Sequence, residues 1–164
     1  MSKLAFEIHQ SKPFASPQEE AMLNLSRTHE FLSQRLSELF KRFHLTPTQY
    51  NMLRILRGAG NEGITCSQAC ERMITPDPDM TRLLDRMENQ GLLRRERGSH
   101  DRRVVISRIT PRGLKLTNQI DEPLQELLRD LFRMLVNRQL QSLIKTLESL
   151  RNSPTHSTTS IGEK

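Results

Sequence analysis

Seven arginines and no lysine fall between residues 94 and 112, against two acids, Glu96 and Asp101. That stretch carries a net +5 of the +6 on the whole 164-residue chain. A solvated surface run normally mixes lysine with arginine and both signs, so a phosphate-facing surface is the better account. The guanidinium group is a flat, permanently charged fork that meets phosphate oxygens or the edge of guanine with two donors at once. A second charged feature comes just before it. Met80, Leu83, Leu84 and Met87 recur at i, i+3, i+4 and i+7, which is one apolar stripe of a helix. The opposite side carries Pro78, Arg82 and Asn89, flanked by Thr81, Asp85 and Arg86. Asp77 is placed to cap this helix, Pro78 to take its first position and Gly91 to end it. A helix buried on one side and arginine-bearing on the other suits a DNA major groove, although an ordinary surface helix shares the pattern.

Other chemistries fare poorly. Cys66 and Cys70 lie four apart at the start of a short predicted helix. A packed structural role is expected for them, with a redox role as the lesser alternative because a helix N-terminus lowers a thiol pKa. The five histidines are scattered and no His-x-x-x-His or Cys-x-x-Cys pair occurs, so no metal and no cofactor is expected. There is no glycine-rich phosphate loop and no Gly-x-Ser-x-Gly elbow, and the chain does not read as an enzyme. A pI near 9.9 favours a polyanion, either nucleic acid or an acidic membrane surface. The longest apolar runs fall far short of a bilayer span, and the first residues lack the apolar core of a signal peptide. With two cysteines, too few for a disulfide framework, this points to the cytosol.

The elements that must position these residues are mostly helices. Residues 1–15 have no periodicity and read as an arm. Ser16-Pro17-Gln18-Glu19 is a helix start, and the apolar residues from Leu25 to Phe43 keep a helical period. Thr46-Pro47-Thr48-Gln49 and Thr65-Cys66-Ser67-Gln68 repeat that cap chemistry and open two shorter helices. Residues 92–95 and 104–109 form a β-hairpin around a loop at 98–101. Thr110-Pro111 opens a long helix that Pro123 should kink or divide near Asp121, and Asn137 is suited to cap a last one. From Ser153 the composition turns to Ser, Thr, Pro and Gly, a disordered tail. Hydrophobic content is only 35%, yet the terminal helices carry more leucine than a small lobe can cover. A second copy of the chain would cover it.

The run TRLLDRMENQGLL followed by RRERGSHDRRVVISRITPRG resembles the recognition helix and wing of the MarR (multiple antibiotic resistance regulator) family. The family's wing pattern is Asp-x-Arg, several strand residues, then Leu/Ile-Thr-x-x-Gly, met here by Asp101, Arg103, Ile109, Thr110 and Gly113. The resemblance implies a mainly α fold with a small β-hairpin wing, a winged helix-turn-helix with N- and C-terminal dimerisation helices. Its parts would be an arm at 1–15, a helical dimerisation region at 16–46 and 111–152, a DNA-binding lobe at 47–110 and a tail at 153–164. It implies a homodimeric regulator, most often a repressor, on a pseudo-palindromic stretch of double-stranded DNA. Arg103 would enter the minor groove, steadied by Asp101. Arg97 and Arg102 would touch phosphate or remain solvated charge. Arg82 is placed for guanine, Thr81 and Asp79 for a base or a phosphate, and Pro78 lies on the same face. Arg86 would pair with Asp85, a phosphate or the wing. Ser67 and Gln68 would meet the backbone at a helix N-terminus. A small aromatic or phenolic effector would release the DNA, with His29, Phe40, Tyr50 and Met52 as candidate lining that core packing explains equally well. The alternative is a winged-helix adaptor whose basic wing binds an acidic protein.

Overall fold

The structure is a computed structural model that describes residues 2–98 and 103–152. In order, the helices are α1 (Lys3–Glu7), α2 (Pro17–Lys41), α3 (Pro47–Ala59), α4 (Cys66–Arg72), α5 (Met80–Asn89), α6 (Pro111–Leu131) and α7 (Asn137–Arg151). Three short strands, β1 (Ile64–Thr65), β2 (Leu93–Arg97) and β3 (Val105–Ile109), form one antiparallel sheet in the order β1-β3-β2. The mainly helical winged helix-turn-helix expected from the sequence is therefore present, with one addition. Ile64 and Thr65 pair with Ser107 and Ile106, so the wing hairpin is anchored on a third strand too short to leave a sequence pattern.

The chain divides into two units, Met1–Leu124 and Gln125–Lys164. In the first, Met52, Leu53, Leu56, Ile64, Leu83, Met87, Leu93 and Ile120 are almost wholly buried, drawn from α3, β1, α5, β2 and α6. The stripe read from the sequence, Met80, Leu83, Leu84 and Met87, is the buried face of α5. In the second unit α7 has no buried residue, and Leu143, Ile144 and Leu150 are exposed.

Local chemistry sets the helix ends. Thr46 and Gln49 make a reciprocal capping box at α3, and Thr65 and Gln68 make one at α4. α5 ends in a Schellman turn: Gly91 takes φ +68°, its N–H donates to the Glu88 carbonyl at 2.8 Å, and the Leu92 N–H donates to Met87 at 2.9 Å.

Several expectations need correction. The arm contains α1, capped by the Ser2 hydroxyl, with Leu4 and Ala5 buried. α2 stops at Lys41 rather than Phe43. α6 runs on through Pro123 and is not divided there. Asn137 is the first residue of α7 rather than its cap; Val136 precedes it, and its N–H donates to Gln139 Oε1 at 3.0 Å. The tail at 153–164 lies outside the described residues.

Candidate nucleic-acid interface

α5 begins two residues later than its proline suggests. Asp79 is the cap, accepting the Arg82 N–H at 3.2 Å, while Asp77 accepts the Asp79 N–H at 2.8 Å and Pro78 stays in the turn. The two prolines hold residues 76–79 off the helix, and the second aspartate is the one that faces the vacant amides. This gives Asp79 a capping role beside the base or phosphate contact expected of it. Its other oxygen lies 3.0 Å from Arg82 Nε, so the Asp79 charge at the reading end of α5 is neutralised by the arginine beside it.

Thr81, Arg82, Arg86 and Asn89 stand exposed on the outer face of α5. Arg86 does not pair with Asp85; its Nε donates to the Arg82 carbonyl at 3.3 Å. Ser67 and Gln68 are exposed at the start of α4, although the Gln68 side chain is already engaged in the cap. Arg97 at the end of β2 and Arg103 before β3 are exposed on the two arms of the hairpin. Asp101 and Arg102 lie outside the described residues, and with them the expected Asp101–Arg103 contact.

Not every wing arginine is available to phosphate. Arg95 turns toward α5, where Nε donates to Glu88 Oε2 at 2.8 Å and Nη2 to Asp85 Oδ1 at 2.5 Å. Its backbone N–H also donates to Glu88 Oε1 at 2.8 Å, which makes Arg95 a buckle between the reading helix and the wing. The Glu88 and Asp85 carboxylates hold the Arg95 guanidinium's pKa above its ordinary range against the effect of burial. Arg94 and Arg108 share Glu96, at 3.2 and 2.8 Å. The sequence signal for the buckle was two acids three apart on α5 facing a strand arginine; the charge count on the hairpin alone concealed it.

The wing motif also has a physical explanation. The Thr110 hydroxyl donates to the Gly91 carbonyl at 2.6 Å and accepts the Gly113 N–H at 3.1 Å, while the Thr110 N–H donates to the Leu92 carbonyl at 3.1 Å. A Cβ on Gly113 would run into that Leu92 carbonyl oxygen. Threonine and glycine at this spacing therefore clasp the exit of α5 to the start of α6.

The candidate effector residues do not form one set of exposed groups. Phe40 and Tyr50 are buried and stacked with ring centroids 4.4 Å apart, Met52 is fully buried, and His29 is exposed on α2. Burial and the Asp121 carboxylate raise the Tyr50 hydroxyl pKa. Arg57 ties α3 to α6 through two contacts to Asp121, at 2.7 and 3.1 Å. Cys66 and Cys70 are exposed rather than packed, since the buried residue of that turn is Ala69. Burial of its inner side, then the neighbouring Cys70, raise the Cys66 thiol pKa, opposite to the lowering expected at a helix start.

A buried-faced helix presenting polar residues beside an arginine-bearing hairpin defines the winged helix-turn-helix DNA-binding proteins. The sequence model of the MarR family matches residues 44–104. The chain is 30% identical over 124 residues to the HTH-type transcriptional repressor IacR of Pseudomonas putida, covering 76% of this chain and 73% of that one. A MarR transcription factor from Planctomyces limnophilus is 36% identical, with TM-score 0.65 over 84% of this chain and 99% of that one. The S. aureus MepR–DNA complex shares the fold at TM-score 0.72 and 21% identity, over 82% and 97% of the two chains. This chain belongs to the MarR family of transcriptional regulators. Among the described residues no helix is long and apolar enough to cross a membrane.

Proposed function

We propose that the protein is a homodimeric repressor that binds a pseudo-palindromic operator, with residues 47–110 as its reading lobe. The observation that carries this reading is the juxtaposition of the polar face of α5 with an exposed arginine on each arm of the wing, Arg97 and Arg103. Arg82 reads a base from the major groove, and Thr81 and Arg86 contact bases or phosphates beside it. Pro78 and Asp79 shape the helix start, and Ser67 with Gln68 brings α4 to the phosphate backbone. Arg103 enters the adjacent minor groove, with Arg97 and Arg102 on flanking phosphates and Asp101 steadying the tip.

Dimerisation is proposed for residues 16–46 and 111–152. Met22 and Phe31 are exposed on α2, and Leu143, Ile144 and Leu150 on α7. Exposed apolar surface of this kind marks an interface. Two-fold symmetry then places two reading helices about one helical turn apart on one face of the duplex. A small aromatic effector near His29, Phe40, Tyr50 and Met52 would act by favouring a spacing of the lobes that misses consecutive grooves. Because three of those four residues are core, such a ligand has to open the packing around the Phe40–Tyr50 stack.

The test is selection of duplexes from a random library at about 150 mM salt, where non-specific binding is suppressed. A recovered pseudo-palindrome supports the reading. Recovery of no preferred sequence refutes it and turns attention to an acidic protein partner for the wing.

A further inference from the structure

We infer that Asp79 is a specificity-determining residue at the reading end of α5. It holds Arg82 poised for one guanine, and it requires an amino base, adenine or cytosine, at the neighbouring position of the operator strand. The inference deepens the operator reading above and rests on it.

The Asp79 carboxylate is set in place by the helix start. The Asp79 N–H donates to Asp77 Oδ1 at 2.8 Å, and Asp79 Oδ1 accepts the Arg82 N–H at 3.2 Å as the cap of α5. That cap positions the second oxygen, Oδ2, which lies 3.0 Å from Arg82 Nε. The Arg82 and Asp79 side chains are 82% and 48% exposed, so the ion pair adds little to stability. Its effect is on direction. With Nε turned toward Asp79, the far edge of the guanidinium keeps both terminal amino groups for a partner. Such a fork meets O6 and N7 of guanine together. An arginine held this way before binding loses less rotamer freedom when it docks.

The charge of Asp79 decides the second base. A carboxylate is an acceptor only, and lone pairs remain on it beyond those used for the cap and the arginine. Phosphate repels it, as do the keto oxygens of thymine and guanine. The exocyclic amino groups of cytosine and adenine donate to it. The other acids of α5 that could take this part, Asp85 and Glu88, are occupied by Arg95. Asparagine in place of Asp79 would carry both a donor and an acceptor and so would discriminate poorly between the two kinds of base.

The test compares duplexes selected by the full chain and by Asp79→Asn, with Tm measured alongside. Asparagine caps a helix as well as aspartate does, so Tm should stay within about 3 °C. The native chain should select a guanine beside an adenine or cytosine in each half-site. Asp79→Asn should lower the preference for that guanine about fivefold and lose the preference at its neighbour. Its affinity for an unrelated duplex should rise a few-fold, because a negative charge has left a surface that meets phosphate; a damaged cap would lower it instead. Asp79→Ala loses cap and charge together and should lower Tm as well. In an Arg82→Ala background, Asp79→Asn should change nothing at the guanine position. A selection by Asp79→Asn identical to the native one overturns the inference and leaves the operator reading intact. So does a native motif with a keto base beside the guanine. Failure of the native chain to select any motif removes the operator reading, and this inference with it.

Discussion

Replacing Arg95 with alanine separates a buckle from a phosphate contact. The substitution removes the guanidinium bonds to Glu88 and Asp85 but leaves the Arg95 backbone N–H on Glu88. The Arg95, Glu88 and Asp85 side chains are 26%, 34% and 47% exposed, so solvent discounts these ion pairs well below their buried worth. About 1–2 kcal/mol of stability is the expected loss. For a chain of this size that is a fall in Tm of roughly 2–8 °C. DNA affinity should fall too, because the wing and α5 no longer hold one another at a fixed pitch. The deciding assay is the dependence of affinity on salt, measured on the selected duplex. A phosphate contact contributes about −0.9 to the slope of log K against log salt concentration. Arg95→Ala should weaken binding and leave that slope unchanged. A slope smaller by about 0.9 with Tm unaltered would refute the buckle and make Arg95 a phosphate ligand.

Three further outcomes are expected. Arg103→Ala should lower affinity sharply and erase preference for A·T-rich flanks in repeated selection; retained preference would remove the minor-groove role. Arg82→Ala should relax choice at one base pair per half-site by about 1–3 kcal/mol, whereas equal weakening on every sequence would mean that Arg82 touches phosphate only. Gly113→Ala should cost about 3 kcal/mol or more, because the new methyl meets the fixed Leu92 carbonyl rather than a movable side chain. An unchanged melting curve would show that the clasp between α5 and α6 yields easily.

Periodicity and capping chemistry, both local, were legible in the chain itself. Met80, Leu83, Leu84 and Met87 mark the buried face of α5 because a helix repeats every 3.6 residues, whatever lies opposite. Thr46 with Gln49 and Thr65 with Gln68 name two helix starts because each cap closes within three residues. Gly91 announces the end of α5 because only a residue tolerating positive φ fits the turn. The wing motif carried the family.

Tertiary structure decided what each charge is for. Arg94, Arg95, Arg97 and Arg108 are the same residue type within one hairpin, yet Arg95 buckles onto α5, Arg94 and Arg108 share Glu96, and Arg97 stays exposed. A count of charge cannot make that division, because the partners Asp85 and Glu88 come from another element and strand alternation sends neighbouring side chains to opposite faces. Asp79 rather than the expected Asp77 caps α5 because two prolines steer the turn. Ala69 rather than Cys70 fills the core because α4 meets α3 and α5 on that side. Short-range geometry is written in spacing, whereas the pairing of charges across elements exists only once the chain has folded.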